Sequence, residues 1–159
     1  MRPVKDKHLV IVLGPPGAGK TTYSREQYPG YTLFDNDRII EAVWGSLQFH
    51  PEVKYTAKAM TAAGVERALR HGLAVVVPIS GRTRKERGRW AEQGRAAGYR
   101  VTIIKVAPPA AECLARCKAD PTRPKTTDWQ PIIERWFRVF EPVADDECDE
   151  RLIVCRSST

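Results

Sequence analysis

The sequence predicts an α/β fold: a five-stranded parallel sheet with helices on both faces. Two observations predict it. Five apolar, mostly β-branched runs alternate with stretches of helical character along the chain. The first of these runs, His8 to Leu13, feeds a glycine-rich turn that opens a helix. A length of 159 residues, 42% apolar and 28% charged, fits one globular domain spanning 1–159 with a core of its own.

His8-Leu9-Val10-Ile11-Val12-Leu13 has the length and uniform apolarity of a strand buried on both faces. Thr22 to Gln27 reads as the first turns of a helix. Tyr31 to Phe34 is a short second strand, set off by Pro29-Gly30 before it and Asp35-Asn36-Asp37 after it. Asp35 or Asn36 can cap a helix that runs to Trp44 and stops at Gly45. Beyond a loop at Phe49-His50-Pro51, Glu52 to Arg70 is a long alanine-rich helix closed by His71-Gly72. Leu73 to Val77 is the third strand, running on into Pro78-Ile79-Ser80-Gly81.

Thr83 to Gly98 is the next helix and Arg100 to Val106 the fourth strand. Pro109 to Lys118 is a short helix, followed by a polar loop from Ala119 to Thr127. Asp128 caps an amphipathic helix whose apolar positions are Trp129, Ile132, Ile133, Trp136, Phe137 and Phe140. That stripe is expected to face the core, and Pro142 ends the helix. An acidic link from Asp145 to Glu150 leads to a fifth strand, Leu152 to Val154.

The turn after the first strand is Gly14-Pro15-Pro16-Gly17-Ala18-Gly19-Lys20-Thr21, followed by Thr22. It satisfies G-x-x-x-x-G-K-[ST] at every fixed position. Gly14, Gly17 and Gly19 let successive backbone N–H groups point into one concavity, and the helix that follows adds its positive end. Lys20 reaches the β- and γ-phosphates and the Thr21 hydroxyl is placed for Mg²⁺. The motif predicts binding of a nucleoside triphosphate. Because ligands of open α/β sheets sit at the carboxyl ends of strands, Asp35, Asp37 and Arg38 are expected in the same crevice.

A net charge of +7 beside a phosphate-handling site favours a polyanionic partner, nucleic acid first. Arg82, Arg84, Lys85, Arg87 and Arg89 are either a solvated helix face or a track for phosphates. Cys113, Cys117, Cys148 and Cys155 show no zinc spacing and read as buried free thiols of a reducing compartment. No leader or membrane-spanning run is visible, which predicts a cytoplasmic protein without a membrane partner.

The order of these features resembles the polynucleotide kinase-like, AAA-domain branch of the phosphate-loop kinases, including the phage polynucleotide 5′-kinases. The resemblance covers roughly residues 8–142. It implies a single-domain P-loop NTPase fold of the kinase type, with ATP and Mg²⁺ as cofactors. In that family an aspartate ends the short strand after the phosphate loop, and an arginine follows three residues later. Asp35 and Arg38 stand at that spacing. The resemblance implies that Asp35 receives the proton of the attacking hydroxyl and Arg38 binds the acceptor's phosphate. Asp37 is the alternative to Asp35. The family's lid arginines, which lie on the transferring phosphate, correspond to Arg116 and Arg123 in a segment at about 116–127. A helix ending in Phe-x-x-Pro has its counterpart from Pro131 to Pro142, with Phe140 slightly out of step in Phe140-Glu141-Pro142. One departure stands out. The third strand of family members ends in an acid, and Ser80 sits there instead.

The resemblance therefore implies transfer of the γ-phosphate of ATP to a hydroxyl on nucleic acid, DNA ahead of RNA. The acceptor would be a 5′-hydroxyl end or a hydroxymethylated base such as 5-hydroxymethyluracil in phage DNA. A kinase for a small molecule or nucleotide sugar, as in toxin kinases, is the second reading. A catalytically weak, nucleotide-dependent binding module, which Ser80 would permit, is the third.

Overall fold

The computed structural model describes residues 1–155; residues 156–159, the end of the span assigned to the domain, lie outside the described residues. Five strands form one sheet: β1 (His8–Leu13), β2 (Thr32–Leu33), β3 (Val75–Ile79), β4 (Arg100–Val106) and β5 (Glu150–Val154). Their spatial order is β2-β3-β1-β4-β5 and every neighbouring pair is parallel. Six α-helices connect them: α1 (Lys20–Gln27), α2 (Asn36–Trp44), α3 (Pro51–Arg70), α4 (Arg84–Ala96), α5 (Ala110–Ala119) and α6 (Trp129–Val139). A single 3₁₀ turn spans Asp145–Glu147. The expected α/β architecture is the observed one.

The alternation of side chains along β1 divides the core. Leu9, Ile11 and Leu13 face one side, packed with Val65, Ala68 and Leu69 of α3 and Ala91 of α4. Val10 and Val12 face the other, packed with Tyr23 of α1, Cys113 and Cys117 of α5 and Ile133 of α6. Helices cover both faces, so the central strand has no wet side and tolerates no polar residue past His8. That histidine is itself satisfied, by the Tyr31 hydroxyl at 2.8 Å and the Thr102 hydroxyl at 2.8 Å.

The structure corrects several element boundaries. Strand β3 begins at Val75 rather than Leu73 and carries Pro78 inside it. A proline in a central strand would ordinarily cost a ladder bond. Here Thr32 N–H donates to the Ala74 carbonyl and Phe34 N–H to the Val76 carbonyl, after which β2 has ended. Pro78 would be next to face that side, where its missing N–H has no strand to reach. β5 starts at Glu150, two residues early, and is a largely exposed edge with Ile153 74% accessible. Cys155 is exposed, unlike Cys113, Cys117 and Cys148, because it lies beyond that edge strand. The stripe on α6 is also divided. Ile133 and Trp136 are buried, whereas Ile132 and Phe137 are exposed, since α6 packs chiefly against α5.

Candidate nucleotide and acceptor site

A cleft of about 1130 Å³ opens at the carboxyl ends of β1 and β3. That is where an open α/β sheet presents its ligand crevice. Its floor is the turn between β1 and α1. Gly17 adopts φ 76°, and a Cβ there would meet the Cys113 carbonyl of α5 at 2.3 Å. Gly14 needs to be glycine for proximity alone, since its Cβ would lie 2.3 Å from the Val106 carbonyl. The turn is thus clamped between β4 and α5, which fixes its N–H groups as a concave anion cradle at the head of α1.

Lys20 folds back over this cradle, donating to the carbonyls of Gly14 at 2.8 Å and Pro15 at 2.9 Å. Burial, tempered by Asp37 and Asp35, brings its ammonium down to about 8. An incoming polyphosphate would reverse that desolvation by supplying the missing negative charge. Pro15 is buried and contributes its carbonyl, while Gly14, Pro16, Gly17, Ala18, Gly19, Thr21 and Thr22 line the cleft.

The Thr21 hydroxyl donates to Oδ2 of Asp35, whose Oδ1 accepts from the Asp37 N–H at 3.0 Å. Asp35 therefore caps α2, as its type and position predict, and also reaches across to the phosphate loop. Asp37 follows in the first turn of α2, exposed to the cleft. Withdrawal from bulk water and the neighbouring Asp35 raise its carboxyl above the usual aspartate range. Arg38, one residue on, lines the cleft while paired with Glu41 at 2.9 Å.

Both expected lid arginines reach the cleft. Arg116 donates to the Ala18 carbonyl at 3.1 Å and pairs with Glu112 at 3.2 Å. Arg123 pairs with Asp120 at 3.3 Å and lies 5.0 Å over the Trp129 ring. It is close enough to Lys20 and Asp37 to shift both.

The cationic start of α4 is neither of the two things the sequence offers as a whole. Arg87 is fully buried against Glu147 at 2.8 Å, Arg84 is paired with Asp146 and Arg82 with Glu86. Lys85 and Arg89 line the cleft. Sequence reasoning missed the opposite wall, where Phe49, Val53, Lys54 and Lys58 of the α2–α3 hairpin face the same space. The signal was present in the interleaving of aromatic and basic residues from Phe49 to Lys58.

As a fit for Mg²⁺, the cleft offers hard oxygen donors at Thr21 and its neighbouring carboxylates. Among the described residues no group of three His, Cys, Asp or Glu could hold a metal alone. A cation here would lean on the oxygens of a bound nucleotide. Among those residues, too, no helix is long and apolar enough to cross a membrane.

A parallel sheet with a G-x-x-x-x-G-K-T turn at its centre, a lysine on the cradle and arginines above it defines a nucleotide-binding P-loop fold of the kinase type. The chain belongs to the AAA-domain family, whose sequence profile matches residues 9–129. A candidate kinase from Chloroflexus aurantiacus superposes with a TM-score of 0.72 over 98% of this chain and 89% of its own, at 20% identity. A sugar kinase from a Janibacter species gives 0.59 over 93% and 84%, at 16% identity. A chain of the Pnkp1/Rnl/Hen1 RNA repair complex gives 0.64 over 82% of this chain and 43% of its own, at 18% identity. The protein thus spans less than half of that relative. At these identities the likeness is one of fold.

Proposed function

We propose that the protein is an ATP-dependent phosphotransferase acting on a hydroxyl of nucleic acid. The observation that carries the acceptor class is the pairing of cations with aromatic rings around one cleft. Lys54 lies 5.3 Å over Phe49, Arg89 5.9 Å over Trp90 and Arg123 5.0 Å over Trp129, and all six residues line the space above the phosphate loop. Cations attract the backbone phosphates of a polynucleotide, and an exposed ring such as Phe49, 70% accessible, offers a face on which a base can stack. A net charge of +7 strengthens the encounter.

In the proposed reaction Lys20 exchanges its two loop carbonyls for β- and γ-phosphate oxygens, and Arg123 neutralises charge that spreads over the transferring group. Arg116 holds the loop in register. A carboxylate of the Asp35–Asp37 pair takes the proton of the acceptor hydroxyl. The acceptor oxygen then bonds to the γ-phosphorus as the bond from that phosphorus to the β–γ bridging oxygen breaks, and ADP leaves with the electron pair. Mg²⁺, held from the protein side by Thr21, supplies further neutralisation of the phosphates when bound. In this reading Arg38 leaves Glu41 to hold a phosphate of the acceptor, and the 116–127 segment serves as the lid.

The test uses γ-labelled ATP and Mg²⁺ with 5′-hydroxyl oligonucleotides, the same strands 5′-phosphorylated, duplexes carrying 5-hydroxymethyluracil, and a no-acceptor control. Label on 5′-hydroxyl strands alone makes the protein an end kinase. Label on the modified duplex whatever its ends makes it a base kinase. No labelled strand, with ATP still bound, overturns the nucleic-acid reading in favour of a small acceptor.

A further inference from the structure

We infer that Asp35 is a metal-positioning residue, supplying at Thr21 the negative charge that the end of β3 lacks. The inference rests on the phosphotransferase reading only in that the chain binds a metal–nucleotide complex. A threonine hydroxyl that ligates a divalent cation through its oxygen keeps its proton, and that proton needs an acceptor. Thr21 already donates it to Oδ2 of Asp35. A carboxylate so placed orients the hydroxyl lone pairs outward and sets its charge one hydrogen bond from the oxygen that would ligate the cation.

Three of the other acids of the cleft are already engaged. Glu41 is paired with Arg38, Glu86 receives the Arg82 N–H and guanidinium, and Asp120 is held by Arg123 and Thr122. The strand-end position carries Ser80, whose carbonyl is taken by the Trp136 indole at 2.9 Å. Asp37 is exposed to the cleft, and it is Asp35 rather than Asp37 that receives the Thr21 proton. Asp35 is the more deeply placed of the two, 9% exposed. Of the two aspartates, Asp35 is the one that touches Thr21 and so serves the metal side.

The test is an equilibrium one and needs neither acceptor nor turnover. Mn²⁺ binding to the protein in the presence of ADP is followed by electron paramagnetic resonance for the wild type, Asp35→Asn and Asp37→Asn. Asparagine caps a helix as well as aspartate does, so the first variant removes the charge and keeps the cap. Asp35→Ser, a second neutral cap, gives the same measurement should the amide disturb folding. The expected result is a loss of about tenfold or more in Mn²⁺ affinity for the neutral Asp35 variants, the usual effect of removing an outer-shell partner. Metal-free ADP affinity should stay within about twofold, and Asp37→Asn should leave Mn²⁺ affinity within the same margin. Unchanged Mn²⁺ affinity in the Asp35 variants, or a larger loss in Asp37→Asn, overturns the assignment. Failure of phosphoryl transfer with this pattern intact would strike the phosphotransferase reading alone.

Discussion

The guanidinium of Arg116, on α5, donates to the carbonyl of Ala18 in the phosphate loop at 3.1 Å. The contact joins two segments separated by most of the sheet in sequence, and Glu112 steadies the arginine from below at 3.2 Å. It also fills the space over Gly19, where a Cβ would come within 3.2 Å of the guanidinium. Arg116→Ala should therefore weaken ADP binding about tenfold, the value of one charge-assisted hydrogen bond. Titration calorimetry reads this directly. Arg116→Lys should recover little, because an ammonium lacks the planar fork that reaches Ala18 and Glu112 together.

Lys20 is the cation the cradle cannot replace. Lys20→Ala should lower turnover by about two to four orders of magnitude if it stabilises the transferring phosphoryl group as proposed. Circular dichroism should remain that of the wild type, since the Lys20 ammonium bonds loop carbonyls, those of Gly14 and Pro15, and no other element among the described residues. Undiminished turnover in labelled-ATP assays would remove Lys20 from the mechanism.

Much of this was legible in the sequence because it is set by local rules. The β1 run is uniformly apolar, the loop is fixed by Gly14, Gly17 and Gly19, and Asp35 and Gly45 carry the residue types that start and stop a helix. What escaped depends on long-range contact. Arg87 looks like one cation among five until Glu147, sixty positions on, is seen against it. Nothing in spacing reveals that Asp35 touches Thr21, because the register of α2 against the loop is a property of the assembled sheet. Pro78 blurred the third strand, since its position is allowed only by the early end of β2.

An acceptor held by backbone phosphates should bind in a salt-dependent way. Oligonucleotide affinity should fall linearly in log–log form as salt rises, and Lys54→Ala or Arg89→Ala should each lessen the slope by about one. Fluorescence anisotropy between 50 and 200 mM salt, the range over which such contacts separate, measures it. Equal slopes in wild type and variants would place the nucleic acid elsewhere on the surface.

Arg87 and Glu147 form a buried ion pair, the two side chains 0% and 4% exposed and 2.8 Å apart. The arginine also donates to the carbonyls of Gly81 at 3.0 Å and Glu141 at 2.8 Å, and so ties the end of β3, the start of α4 and the link before β5 into one unit. Removing one partner leaves the other buried and uncompensated, so Glu147→Ala should cost about 3–5 kcal/mol of stability. The pair also predicts a pH dependence. Burial pushes the Glu147 carboxyl up, but the bonds from Arg87 and the Ala144 N–H, with the Arg87 and Arg84 charges, outweigh it and hold it below its ordinary 4.5. A depressed acid stabilises the fold fully above its unfolded value and loses that contribution as pH falls through the folded one. Urea midpoints should hold steady from neutral pH down to about 4.5 as far as this pair is concerned, then decline below it. In Glu147→Gln, which has no charge to titrate there, the decline should be shallower. Parallel curves for the two proteins would show that acid unfolding is governed by other carboxylates.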